Sequence, residues 1–430
     1  MKVQNPSNAA FAAVVLASLT LFAVACGRDP IFFTISNETA PRLPRIRGAP
    51  TAMATLDVDG RPVMFVASRQ GLFWYAPSGK DADGNWNGSN PVWQTDLGIP
   101  QPGAGRPIDL AVTGDRLYVL VMSEDGDGIG TTVTRLEKAG GNWKWTAVPG
   151  AGGNVQAVFA DPSDSAGRLF AGTVDGIFYV DRAGASLSRL DVPARTVEGS
   201  DDPFTGTGLL SGVAYRGGNH FLSTGTGVLR VAGTDAKWLR QGEGVADDAP
   251  HVPQAFIGMT KLPDGSIIAV ERQQGFLNRV EDGYFSRIPA TDADGNAVAD
   301  EWMRTVRDAT GALAIWRDGD GDGASNVLLV AGVQGSRSAT TFNNGYVEFR
   351  LKPSDGSLDS SQARLETNTL LSVSGENAQY RTSLGRLPVN HLFQAPGNID
   401  SERTFFASTQ VDGLWSFRLL DGRRQWNAEP

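Results

Sequence analysis

Sulfur and imidazole are scarce in this sequence. One cysteine in 430 residues leaves no disulfide framework and no CxxC zinc site. Three scattered histidines, His220, His251 and His391, share no metal-ligand spacing. Positive charge is also in short supply: 38 Lys and Arg against 47 Asp and Glu give a formal charge of −9. A nucleic-acid binder needs a basic footprint, so that class is excluded. Long amphipathic helical patterns are missing, as are a nucleophile elbow, a P-loop and an HExxH motif. Only one apolar run, at 9–25, approaches membrane-spanning length. Glycine is abundant, with 52 residues beside 23 prolines. That is too little for a collagenous or low-complexity chain and fits a folded, turn-rich one. The length suits two or three domains or one large closed architecture.

The N-terminus reads as an address. Lys2 is the only charge before Arg28, and AAFAAVVLASLTLFAVA follows it. A positive start and an apolar stretch make a secretory signal; an uncleaved anchor helix is the alternative. The run ends Ala23-Val24-Ala25-Cys26-Gly27, which resembles the lipobox of bacterial lipoproteins, with Ala23 where Leu is commoner. The resemblance implies cleavage before Cys26 and acylation of its thiol, and the chain's one cysteine stands at that place. Each buried CH₂ of an acyl chain adds about 0.8 kcal/mol of membrane affinity, so several chains on one Cys anchor a body stably. The expected organisation is a signal peptide over 1–25, a lipidated Cys and proline-bearing tether over 26–46, and a body over 47–430.

The body repeats. A short apolar strand, a polar turn, a second strand and a Gly-hydrophobic-aromatic third strand recur seven times. The pairs begin TAMATLDVDGRPVMFVAS at 51–68 with GLFWYA at 71–76, and end VNHLFQAPGNIDSERTFFAST at 389–409 with GLWSFRL at 413–419. Strands of about five residues with alternating or continuous apolar character, parted by Asp-Gly, Gly-Asp and Gly-Gly turns, read as antiparallel β-structure. Candidate fourth strands follow at 142–148, 237–241, 284–288 and 424–428. Sandwiches in two or three domains are one solution. Seven units over 47–430 average about 55 residues, near the size of propeller blades, and no Ser/Pro-rich linker divides them. The expected fold is all-β: a seven-bladed β-propeller of four-stranded antiparallel blades. Small residues on the first strands (Ala52, Ala54, Ala111, Ala157, Gly212, Ala214, Gly258, Ala312, Ala314) suit a crowded axis, and Phe73, Phe178, Phe276, Tyr346 and Trp415 suit wedges between blades.

These repeats resemble bacterial envelope propellers of the YncE-like, NHL and two-component-regulator groups. The Ser-x-Asp-x-Gly-x-Thr-Trp box of sialidases and the Trp-Asp dipeptides of WD40 repeats are missing. The likeness is architectural, and function has to be argued from a site.

The sharpest chemical constellation is Asp318-Gly-Asp320-Gly-Asp322-Gly, which matches the first half of an EF-hand loop. Leu329 stands where the twelfth-position Glu belongs, so an EF-hand is excluded; a looser Ca²⁺ loop and a solvated acidic turn remain as readings. Asp292–Asn296 and Glu124–Gly128 are weaker versions. A propeller site gathers polar groups where inner strands begin and where second strands turn into third. Those places offer Arg106, Asp109, Asn154, Gln254 and His391, then Arg69, Asp175, Glu271, Arg272 and Asp412. Glu271 and Arg272 interrupt the apolar strand SIIAVE, and mutual pairing at a rim is their ordinary explanation.

The expected function is a lipid-anchored envelope scaffold, periplasmic or surface-exposed, binding a protein or glycan through face loops such as 196–209, 242–255 and 289–311. A Ca²⁺-dependent lactonase-like hydrolase or a glycan-cleaving enzyme is the alternative and requires carboxylates converging at the axis. A purely structural role is the third reading.

Overall fold

The structure, a computed structural model, describes residues 46, 49–75, 79–80, 86–87, 93, 101–102, 105–125, 128–139, 142–152, 154–196, 203–204, 206–246, 252–262, 264–272, 276–292, 294–297, 307–318, 325–333, 346–352, 356–359, 364–366, 389–394, 405–409, 413–420 and 423–429. The chain divides into two units, residues 1–42 and 43–430, and every described residue lies in the second. Cys26 and the signal segment fall outside the described residues.

The repeats form small antiparallel sheets in chain order. Sheet 1 joins Ala52–Val58, Arg61–Ser68 and Gly71–Tyr75; sheet 2 joins Arg106–Thr113, Arg116–Asp125, Gly128–Ala139 and Asn142–Ala147. Sheet 3 runs from Val155–Phe159 through Leu169–Thr173 and Gly176–Val180 to Ser188–Arg189. Sheet 4 runs from Leu210–Arg216 through Asn219–Thr224 and Val228–Ala232 to Asp235–Trp238. Sheet 5 is Phe256–Lys261, Ile267–Glu271, Leu277–Val280 and Tyr284–Arg287, with Arg240–Gln241 added in parallel at its edge. Sheet 6 is built on Arg307–Asp318, Ser325–Val333 and Tyr346–Leu351, with Leu358–Asp359, Ala290–Thr291 and Arg364–Glu366 outside them. Sheet 7 is Val389–Gln394, Phe405–Thr409, Gly413–Leu420 and Arg423–Ala428.

Period-two alternation explains why these sheets stand face to face. In sheet 5, Ile267 and Ala269 pack on sheet 4 with Phe221 and Val228, while Ile268 and Val270 pack on sheet 6 with Leu328 and Phe349. Equivalent cores join sheets 1 and 2, 2 and 3, 3 and 4, and 6 and 7. A last core joins sheet 7 to sheet 1 through Phe406, Leu414, Met64, Val66, Phe73 and Tyr75. The architecture is a β-propeller, and Phe73, Phe276 and Trp415 fill wedges as expected.

One expectation is corrected. Among the described residues the propeller has six blades of four or more strands, sheets 2 to 7, and not seven; sheet 1 has three strands. The physical reason lies at its outer edge. Gly79–Lys80 pairs with Trp86–Asn87 as a separate ladder rather than with Gly71–Tyr75. The Gln101 side chain takes the edge instead: its Oε1 accepts from Leu72 N–H at 3.0 Å and its Nε2 donates to Leu72 C=O at 3.1 Å. A Cβ on Gly71 (φ 131°) would lie 3.1 Å from that oxygen, so glycine lets the amide in.

Circular closure uses side chains. Among the described residues, sheet 7 is built from four consecutive strands, Val389 to Ala428, and shares none with sheet 1. Trp93, fully buried between Tyr75 and Phe406, donates from Nε1 to the fully buried Glu429 Oε2 at 2.9 Å. Ser416 Oγ donates to Glu429 Oε1, and Ser408 Oγ to Pro50 C=O.

Candidate functional site

Each sheet's first strand is its inner strand, and those of sheets 1 to 5 and 7 line a channel of about 930 Å³. The inner strands all begin on one face, here called upper, because their first residues pair with the last residues of the second strands: Val155 with Thr173, Leu210 with Thr224, Phe256 with Glu271 and Val389 with Thr409. The upper face therefore carries the turns from second to third strand and the connections into the inner strands. The lower face carries the other two kinds of turn.

Six inner strands bulge just after they begin. The ladder skips Ile108, Gln156, Ser211, Ile257, Asp308 and Asn390, one in each of sheets 2 to 7. Sheet 1 pairs without interruption from Ala52–Ala67 to Val58–Arg61. Bulges re-aim side chains and cluster at functional rims. The next residue is Ala157, Gly212, Gly258 or Ala309 in four sheets, Asp109 in sheet 2 and His391 in sheet 7. Ala157, Gly212 and Gly258 are small and line the channel at this level, and the two exceptions place a carboxyl and an imidazole in its wall.

Asp109 spans two blades. Its Oδ1 accepts from Leu110 N–H at 2.9 Å and its Oδ2 from Val158 N–H of sheet 3 at 2.8 Å. Burial pushes its pKa up to about 7, against the pull of the two N–H groups. Burial likewise lowers His391 below the usual histidine value, and its ring stacks on Phe393 at 5.9 Å between centroids. Arg272 lines the channel beside the turn of sheet 5, where its N–H donates to Ala255 C=O at 2.8 Å. Gln156, Thr51 and Ser211 are further polar lining groups; most of the rest is Ala, Val, Leu, Ile, Met and Phe.

The expected candidates fall as follows. Arg272 and His391 share the channel, joined by Asp109. Arg69 and Asp175 are exposed on upper turns; Arg189 donates to Asp175 C=O at 2.9 Å. Arg106 starts the inner strand of sheet 2 and contacts Met122 Sδ at 3.9 Å. Glu271 and Arg272 do not pair with each other, which corrects the expected rim pair. Neighbours on a strand point to opposite sides. Glu271 is buried between blades, accepting from Asn278 Nδ2 at 2.9 Å with Arg287 3.9 Å away. Asp412, Asp320 and Asp322 lie outside the described residues; Asp318 ends the inner strand of sheet 6. Among the described residues no three His, Cys, Asp or Glu side chains converge as metal ligands. Asp292, in the second acidic loop, turns on itself: its Oδ1 accepts from Asp294 and Asn296 N–H groups at 2.9 and 2.8 Å, which lowers its pKa.

A polar network on the lower side escaped the sequence reading. Asp161 Oδ2 accepts from Tyr215 N–H at 2.6 Å, stitching sheet 3 to sheet 4. Lys261 reaches from sheet 5 to Asp161 at 3.5 Å, Tyr215 C=O at 3.0 Å and Ser163 Oγ. Asp164, in the same turn, meets His220 Nε2 at 2.8 Å and accepts from Arg168 and Ala166 N–H groups at 2.9 Å. Burial raises the Asp164 pKa, but the Arg168 N–H, His220 and the Ala166 N–H together bring it below the usual value. Burial lowers His220, with Asp164 offsetting part of the effect. The signal in the sequence is the Asp-Pro-Ser-Asp spacing at 161–164.

Exposed large aliphatic side chains, by contrast, sit on upper segments. Ile129 (68% exposed) is on the sheet 2 hairpin that projects past the start of the inner strand, and Val174 (68%) is on the sheet 3 turn. Leu209 leads into sheet 4, and Val245 and Val252 lead into sheet 5.

No protein-family model and no curated protein sequence matches the chain. Solved structures do. A selenomethionine-substituted virginiamycin B lyase from Staphylococcus aureus aligns at 12% identity over 87% of this chain and 96% of that one, with a TM-score of 0.47. YCF48 from Cyanidioschyzon merolae aligns at 12% identity over 86% and 95%, with a TM-score of 0.45. PorZ, a surface component of the type-IX secretion system of Porphyromonas gingivalis, aligns at 13% over 84% and 46%, with a TM-score of 0.43. At these values the chain is similar to them in general architecture, and the propeller assignment rests on its own sheets.

Proposed function

We propose that this chain is an envelope lipoprotein, acylated on Cys26 after removal of 1–25, whose propeller binds a protein partner across its upper face. The observation that carries the reading is that, among the described residues, the exposed large aliphatic side chains Ile129, Val174, Leu209, Val245 and Val252 all lie on that face, with Leu209 in the channel wall. Exposed apolar groups beside a pocket mark interaction surfaces. They are aliphatic; a glycan platform uses aromatic faces, so a protein is favoured over a sugar. The channel's single described carboxylate, Asp109, is held by backbone N–H groups, which suits binding better than hydrolysis.

The test is affinity purification of the full lipidated protein from its own cells. Leu209→Asp with Val174→Asp is expected to lose the partner that the unaltered protein retains. Retention of the same partner by the double variant contradicts the reading. Intact-mass measurement of the Cys26 peptide checks the anchor, with an acylated N-terminal cysteine expected.

A further inference from the structure

The channel contains few polar groups that the fold leaves uncommitted. Ser211 Oγ bonds Ser223 C=O and Oγ at 3.1 and 3.0 Å. Thr51 Oγ1 reaches Ala67 C=O at 3.4 Å, and both Asp109 oxygens hold N–H groups. Arg272 differs. Its backbone is fixed by Ala255, yet among the described residues its guanidinium has no hydrogen bond or ion pair. The adjacent carboxylate cannot neutralise it, because Glu271 is 6% exposed, turned between blades and engaged by Asn278 and Arg287. Asp109 and His391 are the other titratable lining residues, and Arg272 supplies the one cation of the described wall that holds its charge at every accessible pH.

Arg272 is exposed at the mouth of a largely apolar channel, where a guanidinium favours a matching anion, and a carboxylate meets its fork with two parallel hydrogen bonds. We propose that the channel takes an apolar ligand ending in a single carboxylate, which Arg272 holds at the upper mouth while the apolar body lies along Phe256, Ile257 and Met259. A second negative charge deeper in the channel would face the Asp109 carboxyl, which disfavours dianions such as phosphate monoesters. The volume of about 930 Å³ suits a ligand of a few residues or its equivalent. A peptide carboxy-terminus and a free apolar acid share this chemistry. The proposal rests on the upper face being the binding face and adds the class of group that enters it.

The experiment is calorimetric titration of the detergent-solubilised full chain with three probes: N-acetyl-Ala-Leu-Leu with a free carboxylate, the same peptide as its carboxamide, and decanoate. The free acid peptide is expected to bind about tenfold tighter than the amide, a difference of about 1.4 kcal/mol. Arg272→Gln is expected to reduce that ratio to near one, and Arg272→Lys, which keeps the charge without the fork, to leave part of it. Binding of decanoate as well supports any apolar acid as ligand; binding of the peptide alone supports a carboxy-terminus. Equal affinity for acid and amide, an unchanged ratio in Arg272→Gln, or no binding of any probe overturns the proposal. None of these results touches partner retention, so failure of the upper-face reading shows separately in the Leu209→Asp and Val174→Asp purification.

Discussion

The two faces of the propeller are built on different principles. On the lower face, turns of one blade are strapped to turns of the next. Asp115 pairs with Arg182 at 2.9 Å, Arg216 with Asp282 at 2.9 Å, and Arg168 reaches Gly233 C=O. Arg279 reaches Gly356 C=O at 3.2 Å. On the upper face, turns bond mainly within themselves, although Thr226 C=O also accepts from Arg195 at 3.0 Å and from Gln254 N–H at 3.3 Å. Thr173 Oγ1 donates to Gly176 C=O at 3.1 Å and accepts from Asp175 N–H at 3.1 Å; Ser68, Thr224 and Thr409 also donate to the glycine that starts their third strand. A self-contained turn needs nothing from its neighbour, so the loops around it can diverge and expose apolar side chains. Ion pairs between turns lie below, and the exposed aliphatic side chains lie above.

Breaking the closure should disturb both faces at once and give the largest effect. Trp93→Ala empties the site between Tyr75 and Phe406 and strips Glu429 of a donor. A loss of about 3–5 kcal/mol is expected in denaturant unfolding.

The channel gives the next effect, as a pH dependence. Asp109 is raised from 3.8 unfolded to about 7 folded, so the folded chain holds its proton more tightly between those values. Its contribution is fully present below pH 4 and is lost as pH rises to 7, by an amount on the order of a few kcal/mol. Asp109→Asn should flatten that part of the stability profile. His220 works in the opposite sense: its lowered pKa removes stability as pH falls below about 6.5. Asp164, also lowered, adds to the loss only as pH falls below its unfolded value of 3.8.

The smallest effect sharpens the contrast. Arg182→Ala removes a half-exposed strap and should cost no more than about 0.5 kcal/mol, because exposed ion pairs contribute little one at a time. Leu209→Asp should change stability as little. Partner retention should separate them, unaffected by the first and lost with the second.

Much of the fold was legible in the residues. Alternation in GLFWYA and GLWSFRL, Gly-Asp and Asp-Gly turns, and small inner-strand residues marked strands, turns and axis. The outer strands at 142–147, 284–287 and 423–428 lie where their aromatic signatures placed them. In the first repeat Gly79–Lys80 pairs with Trp86–Asn87 and not with the third strand, and nothing local announces that Leu72 on that strand is met by Gln101 from 29 positions away. The Ser/Thr-x-x-Gly spacing at Ser68, Thr173 and Thr224 was visible but went unread, its meaning lying in the backbone it bonds. Bulges at Gln156 and Ser211 are properties of register and leave no trace in one strand. The site was half legible: Arg272 stood out with Glu271 as a charge at the end of an apolar strand, and His391 was named only among the rim positions. Asp109 was one of several polar candidates, and its burial and its bond to Val158 depend on a blade 49 residues further along.

Site-specific photo-crosslinking in intact cells tests the division of the faces most directly. A photoreactive residue at Ile129, Val174 or Val252 samples the upper face, and one at Asp115, Arg216 or Asp282 the lower. The account predicts a discrete crosslinked species from the upper positions and none shared by the lower ones. The same species from Asp115 and Asp282, with silence at Val174, would contradict it.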